Sequence, residues 1–333
     1  MIISKTPYRV SLFGGGTDYP SWYKTEGGFV VNTTINKYCF ITVRRLPRYF
    51  SYRHRIRYFQ TEEVNDFNEI KHPVVREVCK YFNVDFGIEV VHSGDIPARS
   101  GVGSSSSFTV GMIKSIAEIQ KIEMSKFELA RSALHVEQTL VQEVVGSQDQ
   151  IAATYGGLNG IKFGRACEAE FDVLPISTSS QLAIDLEASM LLCFTGISRN
   201  ASEIAEEKVK QFGDKGSVLR EIGAIARESF DILVKGTGSI EELGKLLDFQ
   251  WSLKKSLAPV ISNCAIDDLY LAGKKAGAVG AKLLGAGGGG FMLFLAPPRC
   301  HNRIKQALNT CLFIDAKFDS AGTAIIFDED NDV

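Results

Sequence analysis

The residues Asp95-Ile96-Pro97-Ala98-Arg99-Ser100-Gly101-Val102-Gly103-Ser104-Ser105-Ser106-Ser107 carry the clearest chemistry in this chain. Two glycines let a backbone turn tightly and come close to a ligand. The serines place hydroxyls beside the amides that a helix leaves unpaired in its first turn, where the helix dipole is positive. Converging donors of this kind suit an anion, and phosphate is the commonest. A helix cap alone needs one serine, not four. The lysine-bearing loop Gly-x-x-x-x-Gly-Lys-Ser/Thr is absent from the sequence, so positive charge for a phosphate has to come from elsewhere, most plausibly a metal. Glu137 is the second chemical candidate. Ala130, Ala133, Leu134, Leu140, Val141 and Val144 form an apolar stripe at helical spacing, and Glu137 falls in its middle. A carboxylate on a buried face costs several kcal/mol unless positive charge meets it. An arginine or a divalent cation is therefore expected there. Asp149 is the third, although by itself it could simply cap a helix over Gln150–Thr154.

Two further stretches are unusual. Gly14-Gly15-Gly16 ends an alternating strand over Tyr8–Phe13, which requires a sharp bend or close contact with a ligand. Arg44, Arg45, Arg48, Arg53, His54, Arg55 and Arg57 crowd fourteen positions, interleaved with aromatics. That pattern fits a solvated hairpin face, a single-strand nucleic-acid platform, or guanidinium groups forking onto a phosphate that the substrate already carries.

The elements that position these residues follow from periodicity. Phe86–Val91 alternates as a half-buried strand, and Phe108, Met112, Ile113, Ile116 and Ile119 recur at helical spacing, so a helix starts within the serine run. Ser125 and Glu128 form a capping box for a helix running to about Val144. Strands are expected at Gly28–Val31, Tyr38–Val43, Ser189–Thr195 and Phe291–Leu295, and helices over Ala201–Lys210, Val218–Lys235, Ile240–Leu257 and Asn263–Gly277. Gly285-x-Gly287-x-x-Gly290 matches the dinucleotide fingerprint in spacing, but a strand follows it where that fingerprint needs a helix. A composition shift across Gly164–Ser180 suggests a domain boundary, and Asp328–Asp332 suggests a solvated acidic tail.

With 333 residues, 45% of them hydrophobic, the chain can build two cores. Its net charge of −2 supplies no global attraction to nucleic acid or membrane. Seven cysteines without a Cys-x-x-Cys pair point to reduced thiols and a cytoplasmic location. The start of the chain shows no apolar leader.

Pro97–Ser106 resembles the second motif of the GHMP kinases, the family of galactokinase, homoserine kinase, mevalonate kinase and phosphomevalonate kinase. Arg99 and Ser100 stand where the family usually has glycine and a small residue. Pro7-Tyr8-Arg9 through Asp18 is similar to the first motif in its galactokinase form, with Gly15-Gly16 in place of Glu-His. Ala281–Phe291 is similar to the third. The resemblance implies an α+β fold. An N-terminal domain like domain 2 of ribosomal protein S5 (residues 1–170) would precede a ferredoxin-like C-terminal domain (171–333), with the nucleotide between them.

The resemblance also assigns roles. ATP and Mg2+ are the implied cofactors. Arg99, Ser100, Gly101, Val102, Gly103, Ser104, Ser105 and Ser106 would cradle ATP, and Ser105 and Glu137 would hold the metal. Asp149 would be the general base, with Arg9 orienting it or stabilising the transferring group. Gly14, Gly15, Gly16, Thr17, Asp18, Gly287, Gly288 and Arg199, in a Thr-Gly-x-x-Arg loop, would face the acceptor. Leu12–Pro20 is most similar to the family's heptose-phosphate branch, in which the anomeric hydroxyl is phosphorylated. The implied partner is then a small sugar phosphate, bound by a monomer or homodimer, and Arg44, Arg45 and Arg48 become candidates for its phosphate. Fucose and arabinose kinases share much of the wording. A catalytically silent sugar-binding regulator is the alternative from another class, against which Ser105, Glu137 and Asp149 argue.

Overall fold

The computed structural model describes residues 1–164, 167, 170–197 and 201–329. Its first layer is built on two long antiparallel strands, β1 (Ile2–Phe13) and β2 (Gly28–Arg45), joined by the glycine turn and α1 (Pro20–Glu26). The two strands expected at 28–31 and 38–43 are thus one strand. The polar residues between them stay in it because Asn32, Thr33 and Thr34 are buried in the pairing with β1. β3 (His54–Arg57), β4 (Thr61–Val64), α2 (Pro73–Tyr81) and β5 (Ile88–Gly94) follow. Next come α3 (Ser104–Ile119), α4 (Lys126–His135), α5 (Gln148–Tyr155), β6 (Leu158–Phe163) and β7 (Phe171–Pro175).

β2 is long enough to serve two neighbours. Cys39–Arg45 pairs with β5 and Gly28–Thr33 pairs with β6. α3 lies across β1 and β2 with Phe108, Val110, Met112, Ile113 and Ile116 buried. Burying such side chains contributes roughly 1.5–3 kcal/mol each, which anchors the start of the helix, and so the serine run, to the sheet.

The second layer contains α6 (Gln181–Ser189), β8 (Met190–Phe194), α7 (Ala201–Lys210), α8 (Gly216–Lys235), α9 (Ile240–Lys255) and α10 (Cys264–Lys275). It closes with β9 (Gly280–Leu283), β10 (Phe291–Leu295), α11 (His301–Ala307) and β11 (Leu312–Ile314). Its sheet order is β11-β8-β10-β9, all antiparallel. A strand, a helical stretch, two strands, a helix and a strand in that order make the ferredoxin-like arrangement. β12 (Ala324–Asp328) then returns to pair with β1.

Three expectations need correction. The boundary at 170/171 does not separate the layers, because β7 pairs with β6 and β12 with β1, placing both in the first sheet. One apolar core also takes Val10, Leu12 and Phe13 together with Ala226, Leu284 and Leu293. Asp328 closes β12 rather than opening a tail, and residues 330–332 lie outside the described residues. The helix expected to reach Val144 keeps its capping box but ends at His135 and widens into a π turn over Val136–Leu140. Gln142 (φ 63°) then breaks it. A π turn shifts the side-chain spacing, and here it falls on Glu137. Among the described residues no helix is long and apolar enough to cross a membrane.

Candidate active site

β5 leads into the loop 95–103 and α3 leaves it. Arg99, Gly101 and Gly103 have φ of 61°, 84° and 74°. Alternating left-handed residues turn successive amides to one side and form a nest for an anion. Gly103 is the N-cap of α3 and no side chain caps the helix, so the first-turn amides remain for a ligand. A side chain at Gly103 would come within 3.1 Å of Arg9 Cγ and 3.3 Å of Asp149 Oδ2. Three of the four serines have separate tasks. Ser104 Oγ accepts from the Arg99 amide (3.3 Å), Ser106 Oγ donates to Glu137 Oε2 (3.0 Å), and Ser107 Oγ donates to the Pro7 carbonyl (2.9 Å). Ser105 and Arg99 are exposed, whereas Ser100 and Val102 are buried.

Arg9, on β1, meets Asp149, on the first turn of α5. Nε donates to Oδ1 at 2.7 Å and Nη2 to Oδ2 at 2.5 Å, while Nη1 donates to the Gly101 carbonyl. The forked pair is therefore tied directly to the phosphate loop, and such bidentate contacts fix orientation as well as adding energy. Asp149 is not a cap. The α5 amide of Gln148 instead reaches Asp18 Oδ2 (3.4 Å), and Asp18 Oδ1 accepts from Gly16 (2.9 Å). Asp18 thus joins the first glycine loop to the helix that carries Asp149. Gln148, which the sequence reading passed over, donates to Asp149 Oδ1 (3.3 Å) and accepts from Ser11 Oγ (3.0 Å).

Glu137 is wholly buried. Its Oε2 accepts from Ser106 and Gln150, and its Oε1 has no hydrogen-bond partner. Burial pushes its carboxyl up to about 7, against the lowering influence of Thr109, Gln150 and Ser106, with nearby Glu143 adding to the rise. Among the described residues no cationic side chain pairs with it, so the arginine alternative is set aside. An orphaned oxygen on a buried carboxylate beside a phosphate nest suits a divalent cation. The hydroxyl in contact with Glu137 is that of Ser106, and Ser105, the expected metal ligand, is exposed.

The first and third glycine loops differ from expectation in detail. The Thr17 hydroxyl shares its single proton between the Gly14 and Phe29 carbonyls and accepts from the Phe29 amide, so its donor is committed to latching the loop. Gly14 is packed against Phe29, which leaves Gly15 as the open member. In the third loop Gly287 packs on Ile261 and the Gly288 amide donates to the Ile261 carbonyl (2.9 Å). Gly287 and Gly288 are buried in these contacts, and Gly285 and Ala286 are half-buried. Gly285 meets the phosphate loop, since a side chain there would lie 2.7 Å from Gly101 Cα. Arg199 lies outside the described residues.

The arginine-rich segment is not at this site. Arg44 and Arg55 bind Glu89, and Arg57 Nε lies 3.9 Å from it. Burial disfavours the Glu89 charge, but the hydrogen bonds from Arg44 and Arg55 outweigh it and hold the carboxyl below the ordinary range. Arg45 lies over Phe86 and donates to the Ile119 carbonyl, and Arg48 is exposed. Arg9 pairs with Thr34 on β2 and Arg44 lies ten residues further along it, about 33 Å of strand. Arg44→Ala and Arg48→Ala should leave the KM for any phosphorylated acceptor unchanged and cost about 1 kcal/mol or less each in a denaturant titration. A large rise in KM would restore the segment to the site.

An anion nest, a buried carboxylate with one unpartnered oxygen and a forked Arg–Asp pair together define a phosphoryl-transfer enzyme in outline. Residues 68–157 match the model for the GHMP kinases N terminal domain, and residues 223–312 match the GHMP kinases C terminal model. The chain belongs to the GHMP kinase family. It is 30% identical to the D-glycero-alpha-D-manno-heptose 7-phosphate kinase of Campylobacter jejuni, over 91% of this chain and 92% of that protein. It is 27% identical to the bifunctional fucokinase/GDP-fucose pyrophosphorylase of Arabidopsis thaliana, covering 87% of this chain but 29% of that one. Its fold matches the crystal structure of a D-glycero-D-manno-heptose 1-phosphate kinase from Bacteriodes thetaiotaomicron with a TM-score of 0.80, at 23% identity, over 99% and 100% of the two chains.

Proposed function

We propose that the protein transfers the γ-phosphoryl group of Mg·ATP to the anomeric C1 hydroxyl of D-glycero-D-manno-heptose 7-phosphate, giving the 1,7-bisphosphate. The observation that carries a kinase reading is the Arg9–Asp149 fork fastened to Gly101 of the nest. The heptose reading rests on the Campylobacter jejuni relative. The nest amides and the start of α3 bind the phosphates. Of the two Asp149 oxygens, Oδ1 already accepts from Arg9 and Gln148, whereas Oδ2 accepts from Arg9 alone and faces Gly103. A carboxylate oxygen has two lone pairs, so Oδ2 is the atom that takes or orients the acceptor proton. Glu137 would hold Mg2+ together with a hydroxyl of the serine run, Ser106 being the one in contact and Ser105 the exposed one. The metal supplies charge neutralisation on the phosphates. The remaining task is positioning.

The engagement of Arg44 by Glu89 and of Arg45 by the Ile119 carbonyl, far along β2 from the fork, supports a second reading, an anomeric kinase of a free sugar such as fucose or arabinose. Coupled ADP release with Mg·ATP and a panel of heptose 7-phosphate, mannose 6-phosphate, fucose, arabinose, galactose and mevalonate separates the two. Turnover confined to heptose 7-phosphate is the expected result. Turnover with a free sugar alone overturns the phosphate-bearing acceptor, and silence with every sugar favours the regulator.

A further inference from the structure

Two polar side chains deep under the site belong to no motif. Gln250 and Lys254 lie one turn apart on α9, at 1% and 4% exposure, beside Trp251 in the core. Lysine and glutamine are rarely buried this far without a specific partner. Here each reaches a different glycine loop. The Gln250 side chain accepts from the Gly14 amide and donates to the Leu12 carbonyl (3.1 Å). Lys254 Nζ donates to the Gly285 carbonyl (2.6 Å). Gly285 is in backbone contact with Gly101, whose carbonyl receives Arg9 Nη1, and Arg9 holds Asp149.

We propose that Gln250 and Lys254 are positioning residues: α9 clamps the first glycine loop through Gln250 and the third through Lys254, setting the acceptor and nucleotide sides of the site independently. The two contacts sit one turn apart on the same helix, and each grips a different loop. Backbone carbonyls and amides are the groups gripped, which places the glycine backbones without any side chain of their own. Lys254 acts on the nucleotide side because Gly285 abuts the phosphate loop. Gln250 acts on the acceptor side because Gly14 opens the turn that ends at Asp18.

The inference rests on the kinase reading, so its test begins with a ligand that needs no acceptor. Mg·ADP binding to the full chain is measured by titration calorimetry, and KM and kcat are measured with whichever sugar turns over. Lys254→Met is expected to weaken Mg·ADP and lower kcat by about tenfold or more while the acceptor KM stays put. Gln250→Met is expected to raise the acceptor KM by about tenfold with Mg·ADP binding unchanged. Lys254→Arg should fall between the Met variant and wild type. If the Met variants do not fold, Lys254→Arg and Gln250→Glu, which preserve size, should show the same split at smaller amplitude. Equal losses on both sides, tracking the fall in Tm, or no loss at all, overturn the clamp. Failure of the wild type to bind Mg·ADP overturns the kinase reading instead.

Discussion

Asp149→Asn should lower kcat by roughly a thousandfold, within the range that a positioned general base contributes, and leave the KM for ATP little changed. The reason is specific to one atom. Asparagine keeps an acceptor for Arg9 but cannot take a proton at the position of Oδ2, the oxygen facing Gly103 and the phosphate nest. Arg9 retains its hydrogen bond to the Gly101 carbonyl, so the loop keeps its anchor. Because Asp149 is partly exposed (24%) while Arg9 is buried, the stability loss should be on the order of 2 kcal/mol, too little to unfold the chain. Single-turnover kinetics separate the chemical step from binding. A variant that folds, binds ATP and still turns over at near wild-type rate would show that Asp149 only orients the hydroxyl.

Glu137→Gln should remove a pH dependence from the stability of the metal-free protein. In the unfolded chain the carboxyl titrates near its ordinary 4.5, whereas burial raises it to about 7 in the fold. Between those values the folded state binds the extra proton. The contribution of Glu137 to stability is therefore largest below pH 4.5 and declines as pH rises through 7, by about 3 kcal/mol in all. Glutamine does not titrate, so the variant should lack this decline, whatever its new amide costs in absolute terms. The same substitution should abolish most of the Tm rise caused by millimolar Mg2+ at pH 8 and depress turnover by roughly a hundredfold or more. Parallel stability curves for the two proteins between pH 5 and 8 would refute the assignment. So would an undiminished Mg2+ effect in the variant. An ionised group held where it destabilises the fold is the signature of a site kept for binding.

Both predictions depend on contacts of different origin in the sequence. The nest was legible because Gly101, Gly103 and the serine run act locally: turn chemistry and the onset of helical spacing at Phe108 suffice to place an anion there. The capping box of Ser125 and Glu128 was legible for the same reason. Glu137 was visible as a polar residue in an apolar stripe, and its burial followed from that pattern. The serine that meets it was not, because that contact depends on how α3 packs against the π turn at Val136–Leu140. The arginine segment was conspicuous in the sequence but open between a solvated face and a phosphate clamp, since composition cannot say that Glu89, on a neighbouring strand, gathers Arg44 and Arg55.

By itself, then, the sequence determined where the backbone turns, where helices begin, which carboxylate is buried and, by resemblance, the family and its α+β architecture. Each of these rests on preferences that act over a few residues or on motif wording. Only the tertiary structure decided that Arg9 forks onto Asp149, 140 positions away, and ties it to the Gly101 carbonyl, that β12 returns to β1, that Gly287 and Gly288 are packed away, and that Gln250 and Lys254 hold the glycine loops. These depend on strand register and on how the two sheets meet, and such long-range pairings leave no periodic trace in the chain.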